Sequence, residues 1–464
     1  MLKAQIPTKR LMLIALDYMK TKDPPISLGQ SSILANLHQN QIDVFPKSYA
    51  VNLPSFQPDD VTNDIIQNAN ESTDVAIGAY IWNEKSLQKI LTDLKKNHFP
   101  GRIILGGPQI SYTKQHLEKY YPQVDVFIRG YGETALLEYM QQQSTNRNPE
   151  VNGIHYAGQP DRVRSAKTNF DQLPSPFLNN LIPNQSFIRW ETQRGCPFAC
   201  SFCQHRESSS LTRRHFEFTR IAREIQWICR PKSNVRDLNL VDPTFNSGPN
   251  YLNVLNELIR HKYSGKVALQ TRLEMIKPEF LDAVVRLNQT AMVVLELGLQ
   301  TIHRNEQIFI DRPSNMTKIK RMFDEIHEKS IECEVSLIFG LPGQTVDSFR
   351  QSIDYCYRNH VKVIHAFPLM LLRGTPLYEQ RDKLQLIESD EGVCDEIDRV
   401  QQYGIQHVIS SPTFSYDDWR QMAQVAGDLE IQNQSYLTNR DKNYVRHQQI
   451  INRPNHSFTS LKRI

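Results

Sequence analysis

Short apolar runs alternate with amphipathic stretches along this chain, and that rhythm admits few architectures. Residues 11–16 (Leu-Met-Leu-Ile-Ala-Leu) form an uninterrupted apolar run, the mark of a parallel strand buried on both faces. Residues 74–80, 102–105 and 124–128 read as further strands. Between them, residues 84–96 carry Leu87, Ile90, Leu91 and Leu94 at helical spacing. This alternation predicts a doubly wound α/β unit over residues 1–150, with ligands at the carboxyl ends of its strands. The informative loops there are 17–29, 79–83, 106–108 and 129–134. A second α/β series starts at Ser186, with strands expected over 187–193, 237–241, 267–271, 291–297, 334–339 and 363–368. Helices are expected between them, over 218–230 and 316–329 among others. Six strands in this order predict a partial (β/α)6 barrel to about residue 385, whose chemistry belongs at the carboxyl ends of its strands. Residues 151–185 read as a connector, because Asp171-Gln-Leu-Pro-Ser-Pro-Phe177 favours extended geometry ahead of each Pro. Residues 386–464 read as a small, polar, helical C-terminal region, with one amphipathic helix over 419–431 and a tail rich in Asn, Gln, Arg and Lys.

At 464 residues the chain has room for two or three domains. Its net charge of +4 is too small to imply a nucleic-acid or membrane partner. No apolar stretch approaches the length of a membrane span, and the run at 11–16 lacks the cleavage site of a secretory signal. Of seven Cys, Cys229, Cys333, Cys356 and Cys394 are scattered singly. That pattern suits a reducing, cytoplasmic location, with these four acting as small buried apolar residues.

The other three Cys are crowded together. Cys196, Cys200 and Cys203 stand in Arg-Gly-Cys-Pro-Phe-Ala-Cys-Ser-Phe-Cys, a C-x3-C-x2-C run directly after the first barrel strand. A 4Fe–4S cluster normally takes four thiolates, so three leave one iron open to a small molecule. The competing readings are incidental thiols or a zinc site, although zinc usually asks for four ligands, often as two C-x2-C pairs.

The run resembles the signature of the radical SAM superfamily, in which S-adenosylmethionine (SAM) chelates the open iron. The resemblance implies a 4Fe–4S cluster on Cys196, Cys200 and Cys203, with Phe202 near the adenine. Further segments carry it along the barrel. Asp242-Pro-Thr-Phe-Asn246 resembles the segment that receives the SAM amino group, though the usual Gly-Gly-Glu is absent; a helix N-cap is the alternative for Asp242. Arg272, in Gln-Thr-Arg-Leu-Glu, is placed to pair with the SAM carboxylate, or else with a nearby Glu. Glu296-Leu-Gly-Leu-Gln-Thr301 resembles a Glu-x-Gly-x-Gln motif and marks Glu296 and Gln300 as SAM contacts. Phe339-Gly-Leu-Pro-Gly-Gln-Thr345 resembles a Gly-Leu-Pro-Gly-x-Thr turn, which marks Gly340 and Pro342. Arg373-Gly-Thr-Pro-Leu377 matches the family's Gly-Thr-Pro element.

The first unit resembles the Rossmann-like cobalamin-binding domain found ahead of many radical SAM domains. The segments are Asp-Pro-Pro-Ile-Ser-Leu-Gly (23–29), Ala-Tyr-Ile-Trp-Asn (79–83), Ile-Leu-Gly-Gly-Pro (104–108) and Arg-Gly-Tyr-Gly-Glu-Thr (129–134). They mark Trp82, Asn83, Gly106, Gly107, Gly130 and Glu133 as cobalamin contacts, the glycines letting backbone approach a flat macrocycle. The Asp-x-His-x-x-Gly of cobalamin proteins is absent, so no His is marked as a lower axial ligand. The resemblance therefore implies a cobalamin-dependent enzyme that cleaves SAM reductively to methylate or otherwise functionalise a small molecule or natural-product precursor. An external donor such as flavodoxin or ferredoxin would supply the electron. The other readings are a radical SAM enzyme that does not use cobalamin for methyl transfer (3-amino-3-carboxypropyl transfer, rearrangement or cyclisation), an RNA-modifying methylthiotransferase, and a cobalamin or redox sensor.

Overall fold

The computed structural model describes residues 9–20, 22–143, 148–205, 213–389 and 405–451, with side chains to 444. In the first unit, strands β1 (Arg10–Asp17), β2 (Val44–Ala50), β3 (Thr73–Gly78), β4 (Ile103–Gly106), β5 (Val126–Ile128) and β6 (Ile154–Tyr156) form one sheet in the order β2-β1-β3-β4-β5-β6. Helices α1 (Leu28–Gln39), α2 (Pro58–Asn68), α3 (Glu84–Lys96), the short α4 (Pro108–Ser111) and α5 (Leu117–Tyr120), and α6 (Gly132–Gln142) connect them. The strand order reverses between β1 and β3, and that switch point opens a crevice at the carboxyl ends. Strand β1 is central and buried from Leu11 to Leu16, as its unbroken apolar run requires. In α3, the four predicted positions Leu87, Ile90, Leu91 and Leu94 are the buried ones.

Two strands of this sheet lie outside the sequence reading. Strand β2 is a half-exposed edge containing Pro46, so it shows no continuous apolar run. Strand β6 falls inside the stretch read as a connector and pairs antiparallel with β5. The Asp171–Phe177 segment packs rather than merely extends: a 3-10 turn at Phe170–Gln172 puts Phe170, Leu173 and Phe177 into the core of the second unit.

The second unit contains β7 (Phe187–Trp190), the two-residue pair β8 (Gln193–Arg194) and β9 (Arg214–His215), β10 (Asp237–Leu240), β11 (Lys266–Thr271), β12 (Met292–Gln300), β13 (Glu332–Phe339) and β14 (Val363–Pro368). Helices α7 (Phe218–Ile228), α8 (Tyr251–Arg260), α9 (Pro278–Leu287), α10 (Arg304–Phe309), α11 (Met316–Glu328) and α12 (Val346–Arg358) wrap its outside. Its sheet runs β7-β10-β11-β12-β13-β14, all parallel, and stays open between β7 and β14. Outward residues such as Ile188, Leu238, Leu269, Leu295 and Leu337 are buried against the helices. The alternate residues face an interior and are mostly only half-buried.

The C-terminal region differs from its reading. After the single turn α13 (Pro376–Glu379), β15 (Ile387–Ser389) and β16 (His407–Ser410) form an antiparallel pair, and α14 spans Tyr416–Ile451 in place of a helix over 419–431. Cys394 and the end of the tail lie outside the described residues. Helix α14 crosses the amino-terminal ends of the barrel strands: Asn433 bonds the backbone of Ile364, Arg440 reaches Glu334 at 2.9 Å, and Tyr436 donates to Glu332. Among the described residues no helix is long and apolar enough to cross a membrane.

Candidate active site at the cysteine loop

The first barrel strand breaks after Trp190 because Asp242, at the end of β10, captures the chain that follows. Its carboxylate accepts from the Thr192 N–H at 2.7 Å, the Thr192 hydroxyl at 2.5 Å and the Gln193 N–H at 3.2 Å. Asp242 is fully buried, and that burial pushes its carboxyl up to about 7 against these hydrogen bonds. It caps no helix. Its role here is to fix the root of the cysteine loop, which turns at Gly195 with a φ of +84°.

Three neighbours hold the loop. The Ser201 N–H donates to the Ile310 carbonyl at 2.9 Å and its hydroxyl to the Phe309 carbonyl at 3.0 Å. The Ser201 carbonyl accepts from the Leu377 N–H at 2.9 Å, and the Gln204 side chain donates to the Arg373 carbonyl at 2.8 Å. The Gly-Thr-Pro element thus braces the loop. Phe202 is half-buried against the barrel core. Burial pushes the Cys203 thiol up to about 11, with Cys200 and Cys196 adding to the rise, so both of those sulfurs lie within electrostatic reach of Cys203. Among the described residues no three His, Cys, Asp or Glu side chains converge as a single metal ion requires. Three thiols on one short loop suit a polynuclear cluster, whereas zinc usually asks for four ligands. The His205 N–H donates to the Cys203 sulfur at 3.4 Å, and such bonds stabilise a thiolate.

Two guanidinium groups flank the loop. Arg272 lies 3.8 Å above the Phe198 ring, between Cys196 and Cys200, and is held by Glu274 at 3.3 Å and the Pro313 carbonyl. Asn246 fixes the Arg272 backbone from both sides, with bonds of 3.0 and 3.1 Å. Arg312 extends Nη1 to the Cys200 sulfur at 3.5 Å and Nη2 to the Gly298 carbonyl, while its buried Nε has no partner. The sequence reading missed Arg312. Its only signal was a basic residue in the loop just after the short helix α10.

Strand β12 runs past the expected end to Gln300, whose φ of +64° accompanies an irregularity in the pairing with β13. The buried Gln300 Oε1 has no partner and lies beside Gly298 and Arg312. Glu296 does not join this group. It sits four residues earlier, toward the floor, among Glu334, Lys266, His365 and Lys20; burial, and then Glu334, raise its carboxyl. Gly340 and Pro342 belong to a turn tied by buried Gln344, which accepts from the N–H groups of Gly340 and Leu341. A Cβ at Gly340 would stand 3.0 Å from the Val408 carbonyl oxygen, and its φ is +83°.

In the first unit the marked residues line or support the β1/β3 crevice. Asn83, 1% exposed, donates to the Leu16 and Gly78 carbonyls and accepts from the Tyr80 N–H, each at 2.9 Å. Trp82 stacks on Tyr80 with centroids 4.4 Å apart and donates to Leu16. Burial pushes the Tyr80 phenol up to about 12, and burial also raises Asp17 at the crevice edge. Gly106 is half-buried and a Cβ there would make only ordinary contact with Ile128 at 3.7 Å, whereas a Cβ at Gly107 would stand 2.7 Å from the Ala79 carbonyl oxygen. A Cβ at Gly130 would stand 2.6 Å from that of Ala166. Those two glycines serve close approach of backbone to backbone within the protein. Glu133 pairs with Arg194 at 2.8 Å across the two units, immediately before the cysteine loop. Burial alone would raise its carboxyl, but Arg194 holds it below its ordinary range.

Residues 190–356 match the model of the Radical SAM superfamily. The chain is 25% identical over 328 residues to the cobalamin-dependent radical SAM methyltransferase TokK of Streptomyces tokunonensis, covering 65% of this chain and 47% of that protein. It is also 25% identical over 302 residues to the 2-(S-pantetheinyl)-carbapenam-3-carboxylate methyltransferase of Streptantibioticus cattleyicolor, covering 60% and 44%. The chain thus spans about half the length of these curated relatives. Among solved structures it resembles the radical S-adenosylmethionine methyltransferase TsrM of Kitasatospora setae, bound to cobalamin and a [4Fe-4S] cluster. The TM-score is 0.64 at 14% identity, over 83% of this chain and 76% of that one.

Proposed function

We propose, from the premise that residues 190–356 form a radical SAM domain, that this protein is a cobalamin-dependent radical SAM enzyme that methylates or otherwise functionalises a small molecule or natural-product precursor. Once bound, a 4Fe–4S cluster supplies the electron that breaks a sulfur–carbon bond of SAM, and cobalamin supplies a methyl carrier. Cys196, Cys200 and Cys203 hold the cluster and leave one iron for SAM. Arg272 and Arg312 give the site two fixed positive charges suited to a carboxylate and to thiolate sulfur. Gln300 offers SAM a carbonyl oxygen that nothing else in the protein occupies. Phe202 covers the loop and limits water at the cluster. The crevice edged by Asp17, Tyr80, Trp82 and Gly106 is the place for the corrin, at the switch point where such sheets bind ligands. The electron comes from an external donor such as flavodoxin or ferredoxin. The free thiols at Cys229, Cys333 and Cys356 accord with a reducing cytoplasm.

The observation that carries this reading is the cysteine loop fixed on three sides, with Arg312 and the unpartnered Gln300 oxygen beside it. Anaerobically reconstituted, reduced protein is expected to cleave SAM to 5′-deoxyadenosine or S-adenosylhomocysteine, and to retain cobalamin through purification. Protein that carries a full cluster yet leaves SAM intact would refute the reading. Protein that cleaves SAM but retains no cobalamin would remove the methyl-transfer half of it.

A further inference from the structure

We propose that the hydroxyl of Tyr112, in the first unit, is a positioning group for the cysteine loop. It holds the peptide whose N–H bonds the Cys203 sulfur, and so makes the cluster on that loop easier to reduce. That effect rests on the proposed function for the presence of the cluster and needs no bound cobalamin.

The cysteine loop is held from two sides. Beside Cys200 the barrel holds it, through the bonds of Ser201 to Phe309, Ile310 and Leu377. Past Cys203 the first unit takes part. Tyr112 follows the Gly106-Gly107-Pro108 turn and closes α4, its N–H donating to the Pro108 carbonyl at 3.0 Å. From there its hydroxyl donates to the Gln204 carbonyl, one residue beyond Cys203. The Gln204 side chain donates to the Arg373 carbonyl at 2.8 Å. The Arg373 guanidinium returns to the first unit, donating to the Tyr121 hydroxyl at 2.9 Å and to Glu84 at 3.0 Å. A Cβ at Gly374 would overlap the Tyr112 carbonyl oxygen, so the two backbones touch beside the hydroxyl's bond. The helical turn that carries Tyr112 is itself fixed. The Ser111 hydroxyl accepts from the Gly130 N–H at 3.0 Å, and Gln109 donates to Glu84 at 3.3 Å. Tyr112 is half-buried and firmly mounted, unlike a tyrosine swinging in solvent.

The bond matters because of the peptide it meets. The Gln204 carbonyl and the His205 N–H belong to one planar peptide group. The carbonyl accepts from Tyr112, and the N–H donates to the Cys203 sulfur at 3.4 Å. Holding the oxygen in place therefore aims the N–H at the sulfur. A donor on the carbonyl also polarises the amide and strengthens the bond that its N–H gives. Hydrogen bonds to sulfur help set the potential of an iron–sulfur cluster. They favour the reduced state, in which the sulfurs carry more negative charge. Arg312 acts in this way on the Cys200 sulfur from the barrel. Tyr112 acts on the Cys203 sulfur from the first unit, through one shared amide.

The test uses full-length protein, its cluster reconstituted anaerobically and cobalamin left out. Redox titration followed by paramagnetic resonance reads the cluster potential without turnover. Tyr112→Phe removes the hydroxyl alone and should shift the one-electron equilibrium about tenfold against reduction, equivalent to ~60 mV. Replacing Tyr112 by 3-fluorotyrosine makes the hydroxyl a stronger donor at nearly the same size. It should shift the potential the opposite way, above that of the parent. Tyr120→Phe is the control. It keeps the ring that lies 4.4 Å from the Arg373 guanidinium and should leave the potential unchanged. Where Tyr112→Phe takes up less iron, the potential is read on the clustered fraction, and the fluorotyrosine protein gives the sign independently. An unchanged potential in Tyr112→Phe would overturn the assignment. So would a shift of the same sign in the phenylalanine and fluorotyrosine proteins, or an equal shift in Tyr120→Phe. A parent protein that takes up no cluster would overturn the proposed function and this role of Tyr112 with it, whereas a full cluster with equal potentials would overturn the role of Tyr112 alone.

Discussion

The cysteine loop and the crevice of the first unit both lie at the carboxyl ends of parallel strands, and both carry motif residues. They differ in what those residues already do. Around the cysteine loop, Arg312 Nε and Gln300 Oε1 are buried without partners, and the three thiols form no disulfide. In the crevice, Asn83 makes three internal hydrogen bonds, Glu133 is locked to Arg194, and Gly107 and Gly130 admit neighbouring backbone. At the loop the three thiols are free of any disulfide and the Gln300 oxygen is left without a partner, although Asp242 and Arg272 are already bonded within the protein. The motif residues of the crevice mostly build its walls, leaving Asp17, Tyr80, Trp82 and Gly106 as the surface a ligand would meet. A sequence motif can thus mark architecture as readily as contact.

The largest expected effect falls on the loop. Replacing Cys196, Cys200 and Cys203 together by Ala should remove all cluster iron from anaerobically reconstituted protein, against about four iron per chain for the parent. The fold should survive, because Asp242, Ser201 and Gln204 fix the loop independently of the sulfurs. Iron retained by the triple variant would end the distinction between the two regions.

The strut joining the regions comes next. Glu133→Gln leaves Arg194 buried with Glu191 as its one remaining carboxylate. Because Glu191 still compensates the guanidinium, the loss should fall below the roughly 3–5 kcal/mol of a buried pair broken to leave a bare charge. The pH dependence follows from the sign of the shift. Glu133 is held below its ordinary 4.5 in the folded protein, so its contribution is complete above pH 4.5 and is lost as pH falls through the folded value. Denaturation should show the variant less stable at pH 7, with the gap to the parent closing under acid. A gap that persists in acid would mean that Glu133 acts other than through its charge.

How much of this was legible in the sequence depended on the kind of signal. Strand β1 and helix α3 were, because burial on two faces or on one helical face leaves its period in the residues. Strands β2 and β6 were not: one is a half-exposed edge with a Pro, the other a three-residue strand returning antiparallel. The cysteines were legible because three thiols at fixed spacing have few other uses. Asp242 and Glu296 were noticed as polar residues at the ends of apolar strands, but their tasks depend on long-range neighbours. Thr192 and Gln193 are some fifty residues from Asp242, and nothing local announces them. Arg312 escaped because its meaning comes from a thiol more than a hundred residues away.

A smaller effect tests whether Asn83 is wall or contact. Asn83→Ala deletes three buried hydrogen bonds, though Trp82 still donates to Leu16, and should lower stability by about 1–3 kcal/mol. Cobalamin retained per folded chain should not change. Unaltered stability with cobalamin lost would place Asn83 at the corrin and erase the contrast drawn above.

The smallest expected effect concerns Arg312 and is read as a potential. Its guanidinium donates one arm to the Cys200 sulfur and the other to the Gly298 carbonyl, so the positive charge is held in place rather than swung by a flexible stem. A fixed cation hydrogen-bonded to a ligand sulfur stabilises the cluster after it gains an electron more than before, because the added negative charge rests partly on sulfur. Arg312→Ala should therefore make the cluster harder to reduce, by on the order of 60 mV, equivalent to a tenfold change in a one-electron equilibrium. Arg312→Lys keeps the charge but not the two-armed grip, and should fall between the two. Redox titration followed by paramagnetic resonance measures all three without turnover. An unchanged potential in Arg312→Ala would show that the contact with Cys200 is incidental, and would leave the cysteine loop as self-contained as the crevice.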